Sequence, residues 1–145
     1  MSNEAKFYNP NEVFVSLADR AISKGRAEGE FVSTDYNADS ITETVGADGE
    51  VAVSISQNKS AVIKLKVMQT SSSHSLLTQL YDAWRADPST LLAFELRDLQ
   101  GSKIEHALVY FKKPPPSAYS AVAGEREWTL GTAELVRETV AAGTA

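Results

Sequence analysis

The residues best equipped for chemistry are two histidines, His74 and His106, and the hydroxyl run Thr70-Ser71-Ser72-Ser73 with Ser75 beyond it. A serine activated by an imidazole and oriented by a carboxylate would make a hydrolase. No Gly-x-Ser-x-Gly elbow frames any of these serines, and an apolar helical pattern starts directly after them, so the run reads as an N-cap. A hydrolase using His106 with a nearby carboxylate is the last of the readings carried forward. A transition-metal centre would need several His, Cys or carboxylate ligands at compatible spacing, and only scattered carboxylates are on offer. The densest acidic stretch, Asp35, Asp39, Glu43, Asp48 and Glu50, lacks the twelve-residue calcium-loop pattern with its closing glutamate. Gly46 and Gly49 in VGADGE precede no Lys-Ser/Thr pair and open no helix, so they are turn glycines and not a phosphate loop. No cofactor is expected. Trp84 and Trp128 could stack a ligand, but each lies on an apolar face where aromatic residues fill cores.

The elements around these residues belong to a chain of 145 residues, enough for one domain with a conventional core. The hydrophobic fraction of 43% and charged fraction of 23% are those of a globular protein. With 14 basic and 19 acidic residues the net charge is −5, and no Lys/Arg cluster makes a basic stripe, which argues against specific phosphate binding. The absence of cysteine excludes a disulfide framework. The N-terminal MSNEAKFYNPNEV has no apolar core of a signal peptide, and no window is long and apolar enough for a spanning helix, so no membrane partner is expected.

Alternation at Val13, Val15 and Leu17 predicts a first strand, followed by a turn around Lys24–Glu30 and a second strand over Phe31–Tyr36. Ile41–Met68 then reads as a three-stranded meander: Val51, Val53 and Ile55, and again Ala61, Ile63, Leu65 and Val67, recur with period two and predict strands buried on one face. Gly46–Gly49 and Gln57–Ser60 supply its turns. Leu76, Leu77, Leu80, Ala83 and Trp84 follow at helical spacing, and the helix should stop near Arg85 because Asp87-Pro88 disfavours further α geometry. Leu91–Leu99 and Ile104–Phe111 predict a hairpin across Gln100-Gly101-Ser102. Three prolines at 114–116 interrupt the sheet. A last strand runs from Glu125 to about Val136 with Trp128, Leu130 and Val136 on one side. Residues 1–10 and 139–145 read as a flexible arm and tail of a single domain spanning 1–145.

The order and spacing of several pieces resemble the bacteriophage tail tube proteins. They are Tyr8-Asn9-Pro10-Asn11-Glu12-Val13, Thr44-Val45-Gly46-Ala47-Asp48-Gly49-Glu50-Val51, Val67-Met68-Gln69-Thr70-Ser71 with its helix, and Arg126-Glu127-Trp128-Thr129-Leu130. The resemblance implies a mainly β protomer with one principal helix, of β-sandwich or barrel-like form, which completes a large β-barrel in a hexameric ring. It implies stacked rings forming the inner tube of a contractile tail and a conduit for DNA ejection, with no enzymatic role. The implied partners are further copies of the chain, a tail sheath protein, and tape measure and baseplate or terminator proteins. The implied place is the virion tail, after synthesis in the host cytoplasm. Related tube proteins of type VI secretion systems and phage-tail-like bacteriocins share that architecture and remain an alternative context.

A meander edge left unpaired recruits other strands, and ring closure removes such edges. The elements expected to project and meet neighbouring copies are Phe7, Tyr8, Asn9, Pro10 and Asn11 of the arm, Gly46, Asp48, Gly49 and Glu50 of the turn, and Arg137 and Glu138 of the tail. Glu43, Asp48 and Glu50 are also candidate bore residues, since a neutral or negative lumen lets DNA slide without sticking. Lys64 and Lys66, alternating outward from the apolar face of their strand, must be paired or neutralised if they line such a bore, and could meet an acidic sheath if they face outward. A competing reading is a small ligand-binding β-barrel with Trp84 or Trp128 and Tyr110 around a closed cavity.

Overall fold

Strand formation follows the alternation closely where both neighbours of a strand are present. The computed structural model describes residues 12–27, 29–100 and 103–139. In chain order the elements are β1 (Val13–Leu17), β2 (Arg20–Ala21), β3 (Val32–Tyr36), β4 (Ile41–Val45), β5 (Val51–Ile55), β6 (Ala61–Met68), α1 (Ser72–Ala86), β7 (Leu92–Asp98), β8 (Lys103–Lys113) and β9 (Glu125–Thr139). Among the described residues the protein is thus mainly β with one helix, and every strand pairing is antiparallel. One seven-stranded sheet runs β2-β1-β7-β8-β9-β6-β3, and β4 and β5 form a sheet of their own.

The large sheet curls toward closure. The segment after β2 crosses to β6, where Arg26 bridges Val67, Ala27 N–H donates to the Lys66 carbonyl at 3.2 Å and Met68 N–H donates to the Gly25 carbonyl at 2.7 Å. The Arg26 guanidinium also donates to the Val13 carbonyl at 2.7 Å, tying β1 to that crossing. At the other edge the Tyr36 hydroxyl donates to the Leu135 carbonyl of β9 at 2.7 Å. These ties give the chain its barrel-like form.

Inward positions carry the core: Leu17, Ile63, Leu65, Val109, Leu130 and Leu135 are all buried, and Phe94 joins them from β7. The helix covers this inner face. Tyr81 meets Phe111 edge-on with ring centroids 5.3 Å apart and Trp128 at 5.8 Å, while Trp84 lies 5.7 Å from Phe111. Offset and edge-to-face aromatic contacts of this kind add to the apolar area they bury.

Two departures from simple alternation have local causes. The pairing of β8 with β9 steps from Ala107↔Leu135 to Val109↔Thr132, so β9 carries an extra residue there. Thr132 Oγ1 accepts from Glu134 N–H at 3.2 Å and donates to the Leu108 carbonyl at 2.8 Å, which holds the bulge. Its consequence is that Leu135, not the expected Val136, joins Trp128 and Leu130 in the core. The strand then continues to Thr139, paired with Lys103, beyond the expected end near Val136.

The helix starts at its expected cap: Ser71 Oγ accepts from His74 N–H at 3.1 Å and donates to the Met68 carbonyl at 2.7 Å. Gly25 packs against this cap with φ +66°, and a Cβ built there would fall 2.1 Å from Ser71 Cβ. A Gly25→Ala change therefore combines a left-handed backbone with a collision against fixed structure, and should cost on the order of 3 kcal/mol. Thermal denaturation checks this, with an expected fall in Tm of about 10 °C for a domain of this size.

Candidate assembly interface

The Ile41–Met68 stretch does not form the expected meander. β6 leaves β5 and inserts between β3 and β9, pairing Ala61 with Tyr36 on one side and with Thr132 on the other. The physical reason is in β6 itself, whose Ala61, Ile63, Leu65 and Val67 reach full burial only at the centre of the large sheet. β4 and β5 are left as a hairpin, exposed at every residue.

Its register makes that hairpin two-faced. Ile41 pairs with Ile55, Glu43 with Val53 and Val45 with Val51, which places five aliphatic side chains and one carboxylate on one face. Thr42, Thr44, Ala52 and Ser54 occupy the other. Val51, Val53 and Ile55 do share a face as their period predicts, but instead of being buried they remain 55%, 59% and 75% exposed. A two-stranded hairpin is marginal in water on its own, and scattered exposed aliphatics are ordinary while a contiguous face of them marks an interaction site.

The hairpin tip is ordered by its own backbone and by the Asp48 side chain. Gly46 N–H donates to the Glu50 carbonyl at 2.7 Å, Gly49 N–H donates to the Gly46 carbonyl at 3.0 Å, and Glu50 N–H donates to Asp48 Oδ1 at 3.2 Å. Gly49 has φ +89°, a conformation that L side chains rarely adopt. The structure therefore brings together Glu43, Gly46, Asp48, Gly49 and Glu50 on one projecting element.

The remaining expected contact residues are not gathered there. Phe7, Tyr8, Asn9, Pro10 and Asn11 lie outside the described residues, as do 1–6 and 140–145 of the arm and tail. Arg137 and Glu138 do not project from the sheet, because β8 offers them partners: they pair in β9 with Glu105 and Ile104. Arg137 is a clamp across the inner face, donating to Glu105 Oε1 at 2.9 Å and to the Thr34 carbonyl at 2.7 Å, with the Tyr36 ring 4.7 Å away. Sequence reasoning missed this cluster, since nothing in the spacing of Thr34, Tyr36, Glu105 and Arg137 announces that β3 folds over toward β8.

The outward face of the large sheet carries paired charge. Lys64 and Lys66 both reach Glu127, at 3.8 and 3.6 Å, so two ammonium groups share one carboxylate. An open groove of about 640 Å³ is lined by residues including Leu91, Leu108, Tyr110, Asp19, Glu95 and Glu134. Tyr110 faces this groove, whereas Trp84 and Trp128 pack inward against Phe111, so the three do not enclose the common cavity expected for a ligand-binding barrel.

The histidines have separate surroundings. In ladder register Ser16 stands beside Glu95 and Glu95 beside His106, with the carboxylate in the middle where an activated serine needs the imidazole. His106 lies 3.9 Å from Glu138. Among the described residues no group of three or more His, Cys, Asp or Glu side chains could hold a metal ion, and no helix is long and apolar enough to cross a membrane. His74 caps the core, its Nδ1 accepting from Trp128 Nε1 at 3.2 Å. Burial, and then the positive charge of Arg126, hold its pKa below the ordinary 6.5.

Because the folded state resists protonation of His74, the unfolded chain takes up the proton first as pH falls. The contribution is fully present above about pH 6.5 and is lost as the pH drops from there toward the lowered folded value. Urea denaturation at pH 7.5 and 5.5 should give a lower midpoint at 5.5. The His74→Gln variant should show a smaller difference between the two pH values.

Comparison with known proteins agrees with this architecture. A sequence model of the bacteriophage PhiTE tail tube protein matches residues 18–137. No curated protein sequence matches the chain. Among solved structures, the anti-feeding prophage tube-terminating cap is 15% identical, with a TM-score of 0.53 over 96% of this chain and 97% of that one. A chain from the sheath–tube complex of the extracellular contractile injection system PVC, in its extended state, is 18% identical with a TM-score of 0.52 over 90% of each chain. The sheath/tube terminator of the same system is 15% identical, with a TM-score of 0.54 over 95% of this chain and all of that one. At these identities the likeness is one of fold, and the family match covers most of the sequence: this chain belongs to the bacteriophage PhiTE tail tube protein family.

Proposed function

We propose that the protein is a non-enzymatic building block of a tail tube, assembling into hexameric rings that stack into a hollow conduit for DNA ejection from a virion. The observation that carries this is the β4–β5 hairpin, whose apolar face of Ile41, Val45, Val51, Val53 and Ile55 finds no cover among the described residues of its own chain. Burying an aliphatic side chain contributes about 1.5–3 kcal/mol when complete, so five that are already part-covered supply roughly 5 kcal/mol together. Association costs about 4–15 kcal/mol in lost freedom. One hairpin contact is therefore too little for a stable pair, and stacked rings, in which every copy both gives and receives such a contact, let many of them act together.

The same reading gives roles to the rest of the surface. The β2 and β3 edges of the large sheet are supplied with neighbours when copies stand side by side, which removes exposed ladder groups. Lys64 and Lys66, held by Glu127, offer a passing polyanion less free positive charge than two isolated lysines would. The arm Phe7–Asn11 seals joints between copies, and a sheath protein packs outside the tube, with tape measure, baseplate and terminator proteins at its ends. An injection particle of the contractile type would use the same protomer without DNA. Electron microscopy of the purified chain at high concentration tests the proposal: six-fold rings or hollow filaments are expected, and monomers under every condition, with tail partners present, would refute it.

A further inference from the structure

The hairpin needs a receiving surface, and the fold offers one at the opposite end of the same strand. The hairpin is rooted at the Ala61 end of β6, where Asn37 N–H donates to the Ser60 carbonyl at 2.9 Å. At the Met68 end, about 25 Å away for eight residues of strand, lies the segment 112–124, made of the last two residues of β8 and the connection to β9. It is fastened to the chain after β6 by Gln69 N–H donating to the Gly124 carbonyl at 2.9 Å and by Gly124 N–H donating to Gln69 Oε1 at 3.0 Å.

This segment is the complement of the hairpin in two respects. It exposes apolar side chains, with Tyr119 at 82% and Val122 at 76%. It carries Lys112 and Lys113 and no acidic residue over 112–124, while β4, the turn and β5 carry Glu43, Asp48 and Glu50 and no basic residue over 41–55. Three prolines at 114–116 limit the segment's freedom, which lowers the entropy lost on docking. The outward groove is a poorer receiver, because Asp19, Glu95 and Glu134 line it and would face the hairpin's carboxylates.

Resting on the tube reading above, we infer that the β4–β5 hairpin of one copy docks onto segment 112–124 of a second copy, its acidic tip against Lys112 and Lys113 and its aliphatic face against Tyr119 and Val122. The two surfaces differ and lie at opposite ends of β6, so the contact is head-to-tail. Because the two surfaces stand at opposite ends of β6, each such contact offsets the next copy along the strand direction, which suits it to the ring-to-ring joint. Glu43, Asp48 and Glu50 then belong to the joint and not to the bore.

The chain contains no cysteine, so introduced thiols report this contact alone. The full chain carrying Asp48→Cys and Tyr119→Cys, assembled and treated with a short bis-maleimide, should give a ladder of covalent multimers well beyond dimer on a denaturing gel. Asp48→Cys with Leu108→Cys, which tests the groove instead, should give none. A ladder from the groove pair and not from the Tyr119 pair would overturn the inference, as would filaments that yield no ladder from either. Failure of the unmodified chain to assemble at all would instead remove the tube reading, and this joint with it. A charge exchange gives a second readout: Lys112→Glu with Lys113→Glu should lower the filament yield at least tenfold, and adding Asp48→Lys with Glu50→Lys should restore it. Absence of restoration in chains that fold normally would count against the joint.

Discussion

Replacing Val53 and Ile55 with aspartate leaves the isolated protein folded and removes its ability to assemble. Both side chains are more than half exposed on the apolar face of the β4–β5 hairpin, and neither belongs to the buried cluster that holds the large sheet and α1 together. Surface substitutions away from packed features usually change stability by no more than about 0.5 kcal/mol, so the melting temperature of the monomer should hardly move. On the proposed reading the same positions are covered in an assembled particle, and burying two unpaired carboxylates there costs several kcal/mol per contact. Repeated around each ring, that penalty leaves no measurable filament. Sedimentation checks both halves of the expectation: the variant should run as a folded monomer at concentrations where the parent chain forms large particles. Normal assembly by the variant would detach the hairpin from the interface.

The second large effect lies in the core. Trp128 is 2% exposed and sits among Tyr81, Phe111 and His74, with ring centroids between 5.7 and 5.8 Å away. Trp128→Ala removes the largest buried side chain and leaves a cavity that α1 and β8 cannot both collapse to fill, at a cost of about 3–5 kcal/mol. That is a large share of the roughly 5–15 kcal/mol that holds a domain folded. It also strips His74 Nδ1 of its donor. The variant should lose most of its cooperative thermal transition, as read by near-ultraviolet circular dichroism. Trp128→Phe keeps much of the volume and should lie between the two.

The contrast between these variants follows what the sequence could and could not disclose. Alternation in Ala61, Ile63, Leu65 and Val67 fixed a buried face because β6 sits centrally, and Ser71 followed by leucines at helical spacing fixed α1. The same alternation in Val51, Val53 and Ile55 identified a shared face equally well, yet the face is open. Period two tells which side chains travel together and not which strand lies alongside, since pairing partners are chosen by long-range packing. The bulge near Thr132 that turns Leu135 inward was hidden for a similar reason, as it depends on where β8 lies. Lys64 and Lys66 were legible as outward charges, but their common partner Glu127 is a neighbour only through the β6–β9 register. Of the expected contact residues, the Gly46–Glu50 turn was readable from its glycines and carboxylates, whereas Arg137, expected in a projecting tail, is clamped to Glu105 and Thr34.

Hydrogen exchange at residues 41–55, compared between the free chain and assembled particles, tests most directly whether the hairpin is completed by other copies. In the free chain these amides belong to an exposed two-stranded element and should exchange among the fastest of any strand. In assembled material they should become protected to a degree approaching that of β6. Particles in which residues 41–55 exchange as fast as in the free chain would contradict the account.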